Sequence, residues 1–468
     1  MRDWIGESDG VGIDDDDELA LAGQSEFRRQ WIYLLLIAIA LGSFLARATH
    51  TRARDKQTPF LSANDRSRWC NVASLLDYGT YEIDRVIQRK GWDSIDKVSH
   101  YGRDGEQHYY SSKPPILAYL LAWETFVVQK VTGKKLSQAP FYVGRTVLVI
   151  TNGTLLLILF WVVWCALERW GRSDLGRAFV MAVVTLGTLL STFAISINNH
   201  LPGAVAVAVA MYLLLTIWYE GEDDWWRYAL AGFAAACAAA CELPALSLLV
   251  GVIGALLLKS PKKAIIAALP SIALVVAAYL GTTHMAHDSW RPPYMHRADG
   301  ETWEGDNWYA YDGTYWVTEK KGGFDVGEPS KGIYGFQVIA GHHGVLSLTP
   351  VWLLSIVGAF QWLGRKRFAF FLAVAGLTVI CLYFYIYLRP IEDRNYGGSC
   401  CGFRWAFWLI PLWLFAMIPA ADWFAGHRAG RIAMLCLLAV SVFSATYPLL
   451  NPWTHPWLWV YWTNLGWL

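Results

Sequence analysis

Three places in the chain combine charged residue types that can do chemistry. Asp65, flanked by Arg66 and Arg68, is a carboxylate able to deprotonate a hydroxyl or amine, or to steady a divalent ion; an ordinary surface ion pair is its plainer reading. Lys113 stands directly before Pro114 and Pro115, which stiffen the backbone and exclude regular helix ahead of them. A cation held at that spot suits an anionic lipid phosphate, and equally an interfacial lysine reaching for water. Arg394 and Arg404 bracket the glycine pair Gly397 and Gly398, so they can clamp a phosphate or neutralise Glu392 and Asp393.

Other polar groups interrupt the apolar sequence. Asn198, Asn199 and His200, ahead of Pro202, interrupt two apolar runs and read either as a tight turn or as hydrogen-bond donors to a sugar or pyrophosphate. Glu242 is an isolated acid in an apolar region, which makes it functional or paired with a neighbouring helix. His284, His287, His296, His342 and His343 lack the spacing of a zinc motif, so solvated loop histidines are the plainer reading. His342 and His343 nevertheless sit between Gly341 and Gly344 at the entry to a helix.

These residues must be positioned by membrane-spanning helices. The chain has 468 residues, of which 55% are apolar and 16% charged; a soluble domain carries about a quarter charged residues. The 26 Trp and 23 Tyr fit a protein with extensive membrane–water interfaces. A net charge of +1 without a dense basic cluster gives no reason to expect nucleic acid. Apolar runs beginning at Trp31 and ending near Tyr447 lead to an expectation of about eleven spans, all α-helical. Residues 1–30, with the acidic run Asp14 to Glu18, are expected to be a disordered cytoplasmic tail. Residues 31–450 form the membrane domain and 451–468 a Trp-rich outer tail.

Lys259, Lys262 and Lys263, then Arg365, Lys366 and Arg367, then Arg428 and Arg431, fall in short connections and are expected on the cytoplasmic side. That parity places the loops 49–115, 284–344 and 389–404 on the outer face. It also requires 116–131 to lie along the surface rather than cross. Arg47, Arg52, Arg54 and Lys56 oppose this locally, since they outnumber Arg28 and Arg29 across the first helix. Of eight cysteines, Cys70, Cys400 and Cys401 fall in polar loops, where Cys70 can pair with either of the others if those loops are oxidised.

The order of these features resembles the membrane glycosyltransferases of the C-type fold (GT-C), in the branch that includes protein O-mannosyltransferases and lipid A aminoarabinose transferases. The resemblance spans roughly 31–450. It rests on Asp65 in the first loop, Ser112 to Pro115, Arg145 opening a long helix, the Asn199 and His200 turn, the Gly344 to Pro350 helix entry, and Gly397, Gly398 and Gly402 to Trp405. It implies an all-α polytopic fold with outer loops containing juxtamembrane helices, embedded in the plasma (inner) membrane with a cytoplasmic N-terminus. The implied reaction transfers a sugar from a polyprenyl-phosphate donor to an extracytoplasmic acceptor.

By the same resemblance Asp65 is the catalytic carboxylate, and also a candidate ligand of a divalent cation such as Mg or Mn. Lys113, Arg404 and Arg394 would then contact the donor phosphate, while Tyr109, Tyr110, Asn199, His200, His342 and His343 line the substrate cavity. Two departures from the family pattern bear on this: Asp65 is preceded by Asn64 rather than a second acid, and Ser112 stands where some relatives carry one. They leave open a non-catalytic subunit of a membrane complex. A lipid or solute transporter is disfavoured because the informative polarity lies near the outer edge.

Overall fold

The computed structural model describes residues 15–297, 307–316, 328–364, 367–389 and 395–468. The main helices are α1 (Asp15–Ala48), α2 (Ala63–Tyr78), α3 (Pro115–Thr132), α4 (Pro140–Trp170), α5 (Asp174–Leu186), α6 (His200–Tyr219) and α7 (Trp225–Cys241). They continue as α8 (Leu246–Lys259), α9 (Leu269–His287), α10 (Trp352–Gly364), α11 (Phe368–Tyr383), α12 (Ile410–Ala425) and α13 (Arg428–Thr446). Among the described residues eight helical stretches, not the expected eleven, are long and apolar enough to cross a membrane. The shortfall is a matter of length. α7, α8 and α10 join the same two ends of the molecule but have 17, 14 and 13 residues, and about 20 are needed to cross the hydrocarbon unaided.

The eight stretches mark an integral, multi-pass membrane protein. Only 22% of the apolar stretch of α1 is buried inside the protein, and Leu258, Val250, Leu274 and Val379 stand more than half exposed on other helices. Apolar side chains presented outward along a helix are stabilised by lipid rather than by water.

Contacts at the helix ends sort the connections into two faces. Arg29 on α1 pairs with Glu168 of α4 at 2.6 Å and with Asp174 of α5; Lys263 pairs with Asp223, and Arg172 N donates to Asp422 at 3.0 Å. Arg28, Arg29, Arg172, Lys259, Lys263, Arg428 and Arg431 therefore collect at one end, called here the basic end. At the opposite end Arg47 donates to Ser191 O and Thr192 O at 2.9 and 3.0 Å, and Asn199 Nδ2 donates to Cys241 O at 2.9 Å. Of the four cations that oppose the charge parity around the first helix, Arg47 is thus engaged in capping carbonyls of a neighbouring segment. The first helix also begins earlier than expected. Asp15 to Gln30 continue α1 instead of forming a disordered tail, and Arg29 is 7% exposed because it is held between two acids. Residues 1–14 lie outside those described.

Residues 61–115 are not an irregular loop. Ser62 caps α2, its hydroxyl accepting from Asp65 N, and Gly79 ends the helix at φ +70. Lys97–Tyr101 (β1) and Gln107–Ser111 (β2) then pair antiparallel, an element an all-α reading omits. Their short connection turns at Gly105, φ +80, where a side chain would be strained. Pro115 at the first turn starts α3, and Pro140 starts α4 in the same way. Both ends of α3 stay at the end opposite the basic one: Ser67 and Ser111 near its start share a hydrogen bond, and Ser137 just beyond it reaches Asp77 of α2. Helix α3 thus lies along that face and does not cross, as the charge parity required.

Tight helix contacts fix the remaining frame. A Cβ on Gly358 of α10 would stand 2.0 Å from Ala416 O, so the α10 and α12 backbones touch there. Four residues on, Trp362 Nε1 donates to Phe415 O at 3.0 Å. The tail is anchored as well: Trp453 packs against Phe193, and Cys401 N donates to Pro452 O at 3.0 Å.

Candidate functional site

Asp65 lies in the first turn of α2 and is 2% exposed. It is no surface ion pair. Its Oδ2 accepts from Leu61 N at 3.0 Å, reaching back over the helix start, and its Oδ1 accepts from Ile197 N at 3.1 Å. The carboxylate so ties the entry of α2 to the segment ahead of α6. Burial pushes its pKa up to about 7, against the pull of the two backbone N–H groups, Arg68 and Trp69.

One turn further along the same face stands Arg68, 3% exposed. Its guanidinium donates to Asn64 and, at 2.9 Å, to Asn199 Oδ1. Asn199 Nδ2 donates on to Glu242 Oε1 at 2.8 Å, and His200 Nδ1 meets the same oxygen. Arg404 Nη1 lies 3.1 Å from His200 Nε2 and Arg404 Nε donates to Gly397 O at 2.6 Å. Since a guanidinium only donates, His200 Nε2 is the acceptor and the ring proton sits on Nδ1, given to Glu242. The result is an unbroken buried chain from Arg68 through Asn199, Glu242 and His200 to Arg404.

The three neighbouring residues 198–200 divide the labour. Asn198 Oδ1 accepts from His200 N at 2.9 Å and Leu201 N at 3.2 Å, capping α6. That leaves the Asn199 side chain for the polar chain. Glu242 is available because α7 ends there, with Glu242 extended at φ −132, ψ 114 before Pro244. Arg404 is oriented by Trp453, whose ring lies 4.7 Å from the guanidinium carbon, and by Gly397 at φ +99, where a Cβ would stand 2.3 Å from Arg404 Nε.

Lys113 completes the cluster. Its Nζ pairs with Asp96 at 3.1 Å, and burial lowers its pKa, with Asp96 opposing and Arg68 and Arg404 adding to the fall. Burial likewise pulls Arg68 down to about 10, with Arg404 contributing in the same direction. The three cations thus sense one another's charge. Among the described residues neither Arg68 nor Arg404 has a carboxylate within ion-pair distance, and Glu242 is committed to Asn199 and His200.

The other candidates lie elsewhere. Tyr110 stacks on His100 at 4.0 Å, and His100 Nε2 lies 3.0 Å from His287 Nδ1; Tyr109 packs against Tyr311. His342 and His343 are 3% and 0% exposed, with His343 stacked on Tyr396 at 3.9 Å. His287 and His296 are also buried, His296 stacked on Trp308 at 3.5 Å, so the reading of solvated loop histidines fails for these four. His287, at the end of α9, is covered by His100 and Tyr110 of the β-hairpin, and aromatic stacking buries the others. His284 alone remains more than a third exposed. Arg394 lies outside the described residues. Cys70, Cys400 and Cys401 are free thiols: Cys70 Sγ donates to Trp92 O at 3.0 Å, away from the other two. Asp96, Asn64 and the part played by Arg68 escaped the sequence reading. The i, i+4 spacing of Asn64 and Arg68 was the available signal, whereas nothing local links Lys113 to Asp96.

The residues around Asp65 do not fit a divalent cation. Both carboxylate oxygens already accept backbone N–H groups, Arg68 is close, and no grouping of three His, Cys, Asp or Glu has ligand geometry among the described residues. Mg and Mn call for several oxygen ligands converging on one point.

No family model and no curated protein matches the sequence. Among solved structures, the chain is similar to the oligosaccharyltransferase of Archaeoglobus fulgidus complexed with Zn and sulfate. The TM-score is 0.45 at 13% identity, over 90% of this chain and 53% of that one. For the apo form of that protein the values are 0.43 and 13%, over 89% and 55%. The archaeal oligosaccharyltransferase AglB from Archaeoglobus fulgidus, bound to an inhibitory peptide and a dolichol-phosphate, gives 0.45 and 13%, over 92% and 57%. This chain spans about half the length of those proteins.

Proposed function

We propose that this chain is a C-type-fold membrane glycosyltransferase that moves a sugar from a polyprenyl-phosphate donor to an acceptor at the extracytoplasmic face of the plasma (inner) membrane. The reading rests on one observation. Two buried guanidiniums without carboxylate partners among the described residues, Arg68 and Arg404, share a polar cluster with Lys113, next to a buried carboxylate whose pKa is raised to about 7. Sugar transfer from a phosphate needs positive charge where the phosphate departs and a base where the acceptor is deprotonated. Lys113 and Arg404 supply the first, with Lys113 offering the two ammonium protons that Asp96 does not take. Asp65 supplies the second, poised near neutral pH.

In this assignment Glu242 and His200 hold Arg404 in place and do not touch substrate. Asn199 does the same for Arg68. The basic end faces the cytoplasm, by the bias of Lys and Arg toward that side. No divalent cation is assigned, because the donor set beside Asp65 does not suit one. A second reading has its own support. The full engagement of Asp65 with backbone N–H groups is what a structural clamp looks like, and it favours a non-catalytic subunit of a membrane complex.

One experiment separates the two. Purified protein is incubated in lipid vesicles with radiolabelled polyprenyl-phosphate sugar and a membrane extract as acceptor source. Transfer that falls by roughly 10²–10⁴-fold in Asp65→Asn, with its unfolding midpoint retained, supports the transferase. An Asp65→Asn protein that transfers as well as wild type and is merely less stable makes Asp65 a clamp and favours the subunit.

A further inference from the structure

At the basic end, remote from Asp65, a cleft of about 440 Å³ opens between the close of α4 and the close of α10. Arg169, Trp170, Gly171, Arg172, Trp362 and Arg367 line it: three cations, two indoles and no acid. The nearby carboxylates are already occupied. Glu220 takes Trp170 Nε1 at 2.6 Å and Arg169; Glu222 takes Arg169 at 2.7 Å and Arg227 at 2.6 Å. Asp422 accepts from Arg172 N, Ser173 N and the Ser173 hydroxyl.

Two guanidiniums are consequently left over. That of Arg172 makes no hydrogen bond or ion pair among the described residues. Arg367 lies against the rings of Tyr219 and Trp362, 4.9 and 4.6 Å from their centroids, and its Nη1 is buried with no acceptor among the described residues. A buried charged donor without a partner is costly, and aromatic faces on a guanidinium leave its N–H edge free for an anion. The cleft also sits at headgroup depth, since the membrane stretch of α4 ends at Trp170 and that of α11 begins at Phe368.

We infer that this cleft is a phosphate-anion site, with Arg172 and Arg367 as the two-pronged clamp and Arg169 at its rim. The shared chemistry is a phosphate mono- or diester, supplied either by an acidic lipid headgroup or by a soluble phosphate compound. The inference is independent of the transferase reading, because no residue is common to the two sites.

The test follows tryptophan fluorescence of the full-length detergent-solubilised protein, for which Trp170 and Trp362 are local reporters. Phosphatidylglycerol, phosphatidylcholine and inorganic phosphate are each titrated against wild type, Arg172→Gln, the double variant Arg172→Gln/Arg367→Gln, and the control Arg428→Gln. Saturable binding of phosphatidylglycerol but not phosphatidylcholine, weakened about tenfold or more in Arg172→Gln and unchanged in Arg428→Gln, supports the site and identifies a lipid occupant. The same pattern with inorganic phosphate alone supports it with a soluble occupant. Equal responses of Arg172→Gln and wild type, or no response to either anion, overturn it. Arg172 is exposed, so its variant decides the matter even if the double variant does not fold.

Discussion

Asp65 carries two opposing pH effects that a single substitution exposes. Its folded pKa of about 7 lies above the 3.8 of a free carboxyl, so its contribution to stability is complete below about pH 4 and is lost as pH rises through about 7. The wild-type unfolding midpoint should fall across that window more steeply than that of Asp65→Asn, followed by tryptophan fluorescence. If Asp65 is the base, transfer should instead rise through about pH 7, because only the ionised form accepts a proton. At Arg404, lysine keeps the charge but cannot reach Gly397 O and His200 together. We expect Arg404→Lys to bind the donor about tenfold or more weakly and to lose roughly 1–3 kcal/mol of stability, measured by donor titration and chemical unfolding.

The elements hold the site through a few contacts that tolerate no enlargement. Gly358 lets α10 touch α12 beside Trp362, so Gly358→Val must push the two helices apart. Its unfolding free energy should drop by about 1–3 kcal/mol or more. The turn before α6 offers a finer test. Asn198 is the cap and Asn199 the member of the polar chain, so Asn198→Ala should cost about 1 kcal/mol of stability with little change in donor affinity. Asn199→Ala should weaken donor binding, because it releases Arg68 and Glu242 together. Donor titration of both variants beside their unfolding curves distinguishes the roles.

For the whole molecule, the separation of the two ends makes the orientation measurable. In a Cys436→Ser background, Gln107→Cys at the exposed start of β2 should react with a membrane-impermeant maleimide in intact cells. Arg428→Cys at the basic end should react only after lysis. The reverse pattern would put the Asp65 cluster on the cytoplasmic side and remove the extracytoplasmic acceptor from the proposal.

Much of the membrane architecture is legible in the sequence because it depends on local quantities. Long apolar runs without charge are helices in lipid, and short connections rich in Lys and Arg share a side; α3 is recognised as non-crossing from parity alone. Length also misleads, since α7, α8 and α10 are too short to cross unaided yet join the two ends. Lys113 stands out because a cation before two prolines is a local pattern. The meeting of Arg68 with Asn199, of Glu242 with His200 and Arg404, and of Lys113 with Asp96 brings together residues up to two hundred positions apart. No periodicity encodes such pairings; they follow from which helix ends adjoin. The same holds for the charge state of Asp65. Its sequence neighbours are arginines, which would depress its pKa, and only the tertiary burial that removes water from the carboxylate reverses the sign.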